Sequence, residues 1–210
     1  MELFFSPLAC SMACRMTIYE AGAQDIRFRQ VDIIAKKLAP GGEDYLAVNP
    51  LGLVPALRLD DGRVLTEASA TLLYLVDHLA EAGLGATSDA QYYDLLHWLS
   101  FVSTELHKVV FYPHFQPSSN DGAKEFAKKM ARVRFQTLDA HLAEREFLLD
   151  RFSVADALLL TVLVWTRAAQ IDLNEYPNVK NYYSRLRKRP AVARALQEEF
   201  ALAGLAPAAA

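Results

Sequence analysis

The amino-acid sequence predicts a small α/β domain followed by an all-helical domain. Strand and helix patterns alternate over residues 1–82, and a glycine-rich break follows at residues 83–89. No later segment alternates apolar and polar side chains as a half-buried strand does. We therefore place the helical domain at residues 90–205 and a frayed tail at residues 206–210.

The first domain opens with short elements that are separated by turns. Leu3–Phe5 is an apolar run typical of a buried strand, and Ser11–Ala21 has a helical pattern that Gly22 ends. Ile26–Val31 mixes apolar and charged residues as a half-buried strand does. Lys36–Gly42 is polar and contains proline and glycine, which predicts a loop.

A short helix and a hairpin follow. Asp44–Val48 predicts at most a short helix. Val54–Leu59 and Arg63–Leu65 predict two paired strands, because the Asp-Gly pair that ends at Gly62 between them tolerates the positive φ of a tight turn.

A longer amphipathic helix begins at Glu67. Its apolar side chains recur at the spacing of one helical stripe, at Leu72, Leu75, Val76 and Leu79. The elements of this domain thus run in the order βαβαββα, which predicts a small mixed sheet with helices on its faces.

The second domain contains five predicted helices. They are Ala90–Phe111, Asp121–Glu144, Ser153–Ile171, Pro177–Lys188 and Ala191–Ala201. Ser153 and Asp156 stand three residues apart at the start of an apolar run, as they do in a capping box. We assign Asp156 to folding and not to chemistry.

Composition excludes several classes of protein. The 210 residues are 52% hydrophobic and 22% charged with a net charge of −3, which is typical of a globular protein that does not bind nucleic acid. The apolar runs are too short to span a membrane, and the chain opens on a strand with no signal-peptide pattern. Two cysteines cannot form a disulfide framework, so we expect a cytoplasmic protein. The five histidines lack the close pairing of a metal site, and we expect none.

Cys10 is the first candidate for chemistry. It follows the predicted strand and the turn at Ser6-Pro7, at or just before the first turn of a helix. Helix N-termini stabilise anions, and a thiol there tends to have a lowered pKa and a reactive thiolate. The alternative is that Cys10 is a small buried apolar residue, as free cysteines usually are.

Three further positions each have a structural and a functional interpretation. Pro55 opens a predicted strand, and a cis bond there would turn the backbone of Val54 towards a ligand, although most such bonds are trans. Glu67 begins a helix whose first-turn amides can bind a carboxylate. Alternatively, Thr66 is the N-cap of this helix and Glu67 is an acid that stabilises its first turn. His107 is a candidate acid, base or donor to a sulfur, or a polar residue on a helix surface.

Five motifs occur together in a characteristic order and spacing. They are Ser6-Pro-Leu-Ala-Cys10-Ser11, Asn49-Pro-Leu-Gly-Leu-Val-Pro55, Leu65-Thr-Glu67, Ser103-Thr-Glu-Leu-His-Lys108 and Phe152-Ser-Val-Ala-Asp156. In this combination the sequence resembles the cytosolic glutathione S-transferases, and most of all their bacterial beta class. The resemblance runs from Met1 to about Leu205. It implies a thioredoxin-like first domain, an all-helical second domain and a homodimer.

The resemblance also implies roles for individual residues. Catalysis would rest on Cys10, which would face the sulfur of glutathione and can form a mixed disulfide with it, and on His107. The glutathione site would comprise Ser11, Lys36, Val54, Pro55, Glu67, Ala68, Ser69, Ser103 and Glu105. The pocket for a small apolar electrophile would be lined by Leu8, Phe111, Tyr112, His114, Phe115 and Trp165. The implied activity is conjugation of glutathione to apolar electrophiles, thiol–disulfide exchange through Cys10, or both.

Two other functions stay open at this point. A non-enzymatic interaction module can have the same fold, and a monomeric glutaredoxin would share the first domain. The joint presence of Cys10, Lys36, Val54-Pro55, Glu67 and His107 argues against the module. The spacing of Cys10 and Cys14, with three residues between them, argues against the glutaredoxin. Cys14 either resolves an oxidised Cys10 or packs against the sheet, and we favour packing.

Overall fold

The computed structural model describes residues 1–206. Of the predicted frayed tail, residues 207–210 lie outside the described part of the chain. The described chain forms two compact units: residues 1–85 together with the segment from Arg189 onward, and residues 86–188. We call them unit 1 and unit 2. In the described part, no helix is both long enough and apolar enough to cross a membrane.

Unit 1 contains a five-stranded mixed sheet. Its strands are β1 (Glu2–Phe5), β2 (Arg27–Asp32), β3 (Lys37–Ala39), β4 (Ala56–Arg58) and β5 (Val64–Thr66). They lie in the order β3-β2-β1-β4-β5, and β1 pairs with β2 in parallel while the other pairs are antiparallel. Leu3 in the central strand stands opposite Phe28 on one side and Leu57 on the other, and it is fully buried. The predicted mixed sheet is confirmed.

One local prediction in this unit needs correction. β3 lies in the segment 36–42, which the sequence predicts as a loop, and it pairs Leu38 with Val31 at the edge of the sheet. Proline and glycine do follow directly, at Pro40 and Gly41, so the loop signal came from the turn after a strand of only three residues. The prediction of at most a short helix at 44–48 agrees with the structure, which has a single 3-10 turn, Tyr45–Ala47, capped by the Asp44 side chain.

Three helices belong to unit 1: α1 (Met12–Glu20), α2 (Ala68–His78) and α8 (Pro190–Leu202). α1 is buried continuously from Met12 to Ile18, and both α2 and α8 pack against it. A helix that is buried on every side in this way lies between other elements. By sequence order α8 was predicted to be part of the helical domain, because it follows the other helices along the chain. Its packing partner in the structure is α1, so the grouping by packing differs from the grouping by sequence.

Unit 2 is helical throughout. It contains α3 (Asp89–Ser100), a π-helical segment (Phe101–Phe111), α4 (Tyr112–Phe115), α5 (Asp121–His141), α6 (Val154–Leu163) and α7 (Pro177–Leu186). Short 3-10 turns extend α5 and α6. All ten residues of α6 are buried, so it is the central helix of this unit. The helix predicted over Ala90–Phe111 is therefore an α-helix that continues as a wider π-helix.

The start of α6 is fixed by the buried Asp156. Its carboxylate accepts hydrogen bonds from the backbone N–H groups of Leu148 (2.9 Å) and Ser153 (2.8 Å) and from the Tyr182 hydroxyl (2.8 Å). Burial raises the pKa of the Asp156 carboxyl, and these donors offset part of that shift. The carboxylate thus joins α6, α7 and the preceding loop, in agreement with its predicted role in folding.

Candidate functional site

Cys10 lies in the loop between β1 and α1, directly before Ser11, the N-cap residue of the helix. The thiol is only 8% exposed, and its Sγ donates a hydrogen bond to the carbonyl oxygen of Val54 at 3.1 Å. Ser11 is fully buried, and its hydroxyl accepts from the Ser6 amide (3.2 Å) and donates to the Ser6 carbonyl (3.3 Å). The side chain of Ser11 therefore shapes the Cys10 loop, while Cys10 itself stands just before the helix as the sequence predicted.

The bond between Val54 and Pro55 is cis, and β4 begins at the next residue. The loop before it is fixed from within, because Tyr45 Oη and Asn49 Nδ2 both donate to the Leu53 carbonyl at 2.8 Å. Burial raises the pKa of Tyr45 to about 12, so its hydroxyl keeps its proton at neutral pH and stays a donor. The backbone of Val54 is thus held in one orientation beside the thiol.

Lys36 lies across the same loop. Its Nζ donates to the Gly52 carbonyl at 2.9 Å, and both residues have positive φ, 57° for Lys36 and 60° for Gly52. A Cβ on Gly52 would lie 2.6 Å from Cδ of Lys36, so a larger residue would displace this side chain and would also be strained at a φ of 60°. An ammonium has three donors and Gly52 takes one, which leaves Lys36 the capacity to bind an anion as well.

Glu67 and the start of α2 form a second polar group in unit 1. Glu67 is exposed and has φ 68° and ψ 128°, a backbone conformation that a residue with a side chain rarely adopts. Such strain clusters at ligand-binding sites. The helix begins at Ala68, next to the half-buried Ser69, and the amides of a first helical turn have no acceptor within the helix. This end of α2 can therefore bind a carboxylate.

His107 lies in the π-helical segment of unit 2. Its ring centroid is 5.0 Å from that of Trp165. Burial, with a further contribution from the neighbouring Lys108 ammonium, lowers the pKa of His107 to about 4. At neutral pH the imidazole is therefore uncharged, with one nitrogen as donor and the other as acceptor. It can stabilise a thiolate by donating a hydrogen bond, but not as a cation.

The predicted acceptor-pocket residues of unit 2 divide into buried and exposed ones. Phe111 and Phe115 both pack edge-on against Trp165, with centroids 5.7 and 5.6 Å away, but Phe111 is fully buried. Phe115 and Tyr112 are exposed, and the Lys108 ammonium lies 4.6 Å from the centroid of Tyr112. The exposed pair can contact a ligand directly, and the buried rings support them from behind.

The remaining site candidates are His114, Ser103 and Glu105 of unit 2 and Leu8 of unit 1. Burial lowers the pKa of His114, and the ammonium groups of Lys128 and Lys124 add to this effect. Glu105 forms an ion pair with Arg134. Ser103 is half-buried and lies four residues before His107 on the same segment. Leu8, the predicted pocket residue of unit 1, is half-buried beside Cys10 and has φ 60°.

Cys14 does not have the properties of a resolving thiol. It is fully buried in α1, and burial, followed by the proximity of Cys10, raises its pKa far above the usual value. A thiol in this state is unreactive, since the thiolate is the nucleophile. This favours the packing role. Among residues 1–206, no three His, Cys, Asp or Glu side chains come together as a metal-binding group.

Sequence reasoning missed one cluster next to Cys10. Arg15 in α1 forms an ion pair with Glu199 in α8, 184 residues away, and both side chains are buried. Nothing in local spacing pairs them.

Comparison with known proteins gives matches over both units. Residues 9–78 match the family model described as Glutathione S-transferase, N-terminal domain, and residues 102–190 match the one described as Glutathione S-transferase, C-terminal domain. Among curated proteins, glutathione S-transferase GstA of Escherichia coli O157:H7 is 37% identical over 201 residues, which cover 95% of this chain and 98% of that protein.

Solved structures give the same result at the level of the fold. A sphingomonad glutathione S-transferase complexed with glutathione is 42% identical with a TM-score of 0.89, over 98% of this chain and 100% of that one. The bacterial beta class glutathione S-transferase of Sphingomonas chungbukensis is 41% identical with a TM-score of 0.88, over 95% and 98% of the two chains.

Proposed function

The chain belongs to the glutathione S-transferase family, and on that premise we propose that it binds glutathione against Cys10 and uses it for conjugation and thiol–disulfide exchange. It is a glutathione transferase with glutathione as its co-substrate. The observation that carries the site assignment is the hydrogen bond of 3.1 Å from Cys10 Sγ to the Val54 carbonyl, beside the cis bond to Pro55. It brings a thiol and a peptide-binding backbone together in one unit.

Unit 1 supplies a complementary group for each part of the tripeptide. The backbone of Val54 pairs with the cysteinyl residue of glutathione, in the orientation that the loop around Leu53 fixes. The amides at the start of α2, with Glu67, hold the charged γ-glutamyl end. Lys36 binds the glycyl carboxylate with the donors that Gly52 does not use. Ala68 has no hydroxyl to offer, so its contribution is its backbone amide, next to Ser69.

Two reactions are compatible with this arrangement. In conjugation, the thiolate of glutathione attacks an electrophilic carbon, a C–S bond forms, and the leaving group departs with the bonding electron pair. In exchange, the Cys10 thiolate attacks one sulfur of a glutathione disulfide, a mixed disulfide forms, and the other sulfur leaves as a thiolate that takes up a proton. The reactive thiolate belongs to glutathione in conjugation and to Cys10 in exchange. In the proposed complex the two sulfurs face each other, so one site serves both reactions.

For the residues of unit 2 we propose the roles that the family resemblance implies. Within this unit, His107 is uncharged at neutral pH and is a hydrogen-bond donor for a thiolate, and Ser103 and Glu105 are polar groups for the γ-glutamyl part of glutathione. Tyr112 and Phe115 are exposed and contact a small apolar electrophile, and His114, Phe111 and Trp165 are the other pocket residues of this unit. Leu8 is the pocket residue of unit 1.

We further propose that the molecule is a homodimer, as the family resemblance implies. We also propose that it functions in a reducing cytoplasm, a compartment compatible with its two free cysteines. We also propose that residues 83–89 are the linker between the two domains.

The non-enzymatic alternative is not favoured. The similarity to glutathione S-transferases extends over 95% of the chain, and the thiol and the peptide-binding loop are both present. An interaction module would not need the close packing of the Lys36 side chain over Gly52. It would not need the strained backbone conformation of Glu67 either.

The test is intact-protein mass spectrometry after incubation with oxidised glutathione, applied to the wild type, Cys10→Ala and Cys14→Ala. We expect one glutathionyl adduct on the wild type and on Cys14→Ala, and none on Cys10→Ala. No adduct on the wild type, or an adduct that disappears only with Cys14→Ala, would exclude Cys10 as the reactive thiol.

A further inference from the structure

A buried ion pair lies directly behind the Cys10 loop. Arg15 Nε and Glu199 Oε1 are 2.7 Å apart, and the two side chains are 4% and 0% exposed. The guanidinium also lies 4.2 and 4.3 Å from the ring centroids of Phe5 and Phe28. Buried ion pairs contribute little net stability compared with apolar residues of the same volume, because both charges lose their hydration. Stability alone therefore does not account for this pair.

The second carboxylate oxygen of Glu199 reaches the Cys10 loop. Oε2 accepts a hydrogen bond of 2.7 Å from the backbone N–H of Leu8, two residues before Cys10. Leu8 has φ 60°, in the left-handed region that side chains with a Cβ disfavour. Bonds within the loop are local, such as that from the Ala9 amide to the Ser6 carbonyl, whereas the Leu8 bond spans 191 residues. A residue of α8 thus binds the amide of this left-handed residue from outside the loop.

On the basis of the proposed role of Cys10, we propose that Glu199 is a positioning residue for the thiol. Its carboxylate fixes the Leu8 amide, and Arg15 fixes the carboxylate. Fixing the Leu8 amide in this way maintains the contact of 3.1 Å between Cys10 Sγ and the Val54 carbonyl. A displacement of about 1 Å in a reacting group can slow a reaction on the order of 100-fold.

A second ion pair also joins α1 and α8, so the packing of these two helices does not depend on Arg15 and Glu199 alone. Glu20 at the end of α1 and Arg189 before α8 form two hydrogen bonds of 2.8 and 2.7 Å. They join the same two helices as Arg15 and Glu199 do, but at the opposite end of α1 from the Cys10 loop. Glu20→Gln is therefore a matched control, since it weakens the helix pair and leaves the Leu8 bond intact.

The test compares two double variants that both lack the ion pair. Arg15→Met with Glu199→Gln keeps an oxygen that can accept from the Leu8 amide. Arg15→Met with Glu199→Leu has no acceptor at that position. Neither variant leaves a lone buried charge at these two positions, and apolar replacement of a buried ion pair is usually compatible with folding. Circular dichroism checks that both variants are folded.

The readout is the rate of the Cys10 adduct with oxidised glutathione as a function of pH, together with kcat and KM for glutathione. We expect the double variant with Glu199→Leu to react at least about tenfold more slowly than the one with Glu199→Gln, with a changed pH profile. Glu20→Gln should react like the wild type. Equal rates and pH profiles in both double variants would overturn the proposal, as would an equal loss in Glu20→Gln. A wild type that forms no Cys10 adduct would instead overturn the proposed function itself.

Discussion

The neutral state of His107 has a measurable effect on stability. Its pKa is about 4 in the folded protein, against an ordinary value of 6.5. Between these values the unfolded chain binds a proton that the folded chain does not, so the free energy of unfolding falls as the pH drops from 6.5 towards 4. Each pKa unit corresponds to about 1.4 kcal/mol, and partial solvation of the ring reduces the total to about 2 to 3 kcal/mol.

The measurement is urea unfolding of the wild type and of His107→Gln at several pH values from about 7 down to about 4.5, within the window that the shifted pKa defines. The contributions of other titrating groups are common to both proteins and cancel in the difference. We expect the wild type to lose stability relative to His107→Gln as the pH falls. A difference that stays constant over this range would show that His107 is not buried as a neutral imidazole.

At the scale of single residues, the sequence predicted groups that have a local signal. Cys10 follows a strand and precedes a helix, and Asp156 stands three residues after Ser153. The partners that fix such groups have no local signal. The Glu199 carboxylate reaches Leu8 across 191 residues, and Gly52 beneath Lys36 looks like any loop glycine. Long-range contacts of this kind depend on the folded path of the chain, which local spacing does not encode.

Among the elements, α6 offers the sharpest test, because one carboxylate organises its start. Asp156→Ala leaves the Leu148 and Ser153 amides and the Tyr182 hydroxyl without their acceptor inside the protein. Each unsatisfied buried donor costs about 1 to 3 kcal/mol. We expect a loss of at least about 3 kcal/mol in the free energy of unfolding, measured from urea transitions.

Asn120→Ala provides the matched control at the start of α5. The Asn120 side chain accepts from the Ala123 amide at 2.9 Å, but this cap is exposed to solvent. Its loss should cost about 1 kcal/mol, the usual contribution of an N-cap. Equal losses in the two variants would contradict the view that Asp156 acts through buried donors and not merely as a helix cap.

Elements whose apolar residues recur with a clear periodicity were predictable from the sequence, and short or irregular elements were not. α5 begins at Asp121 in both the prediction and the structure, and the hairpin of β4 and β5 surrounds Gly62 as expected. β3 has only three residues, too few for an alternating pattern to be recognised. The π-helical segment Phe101–Phe111 has apolar spacing close to that of an α-helix, so the sequence does not distinguish the two.

For the whole molecule, grouping by sequence order and grouping by packing give different results for α8. It follows a run of helices, yet its buried residues and both ion pairs, Arg15 with Glu199 and Glu20 with Arg189, join it to α1. The fold class was predictable because it depends on the type and order of elements. The packing of the last helix against α1 was not, because its partners lie far away along the chain and only folding brings them together.

The proposed homodimer makes a prediction about the surface of α5. Phe126 and Val133 are 57% and 60% exposed, and with Met130 they stand at positions i, i+4 and i+7 of one helical face. An exposed apolar stripe of this kind is typical of an interaction surface, and in a homodimer a second copy of the chain would cover it.

Light scattering measures the consequence directly. We expect the wild type to have twice the 23.4 kDa mass of one chain. Replacing Phe126 and Val133 together by glutamate should give the mass of a single chain, because each dimer would bury four unpaired carboxylates. Ile34→Glu, at an apolar residue of unit 1 that is 91% exposed, serves as the control and should remain dimeric. A double variant that keeps the dimer mass would show that the partner binds elsewhere, and a wild type with the mass of one chain would exclude the homodimer.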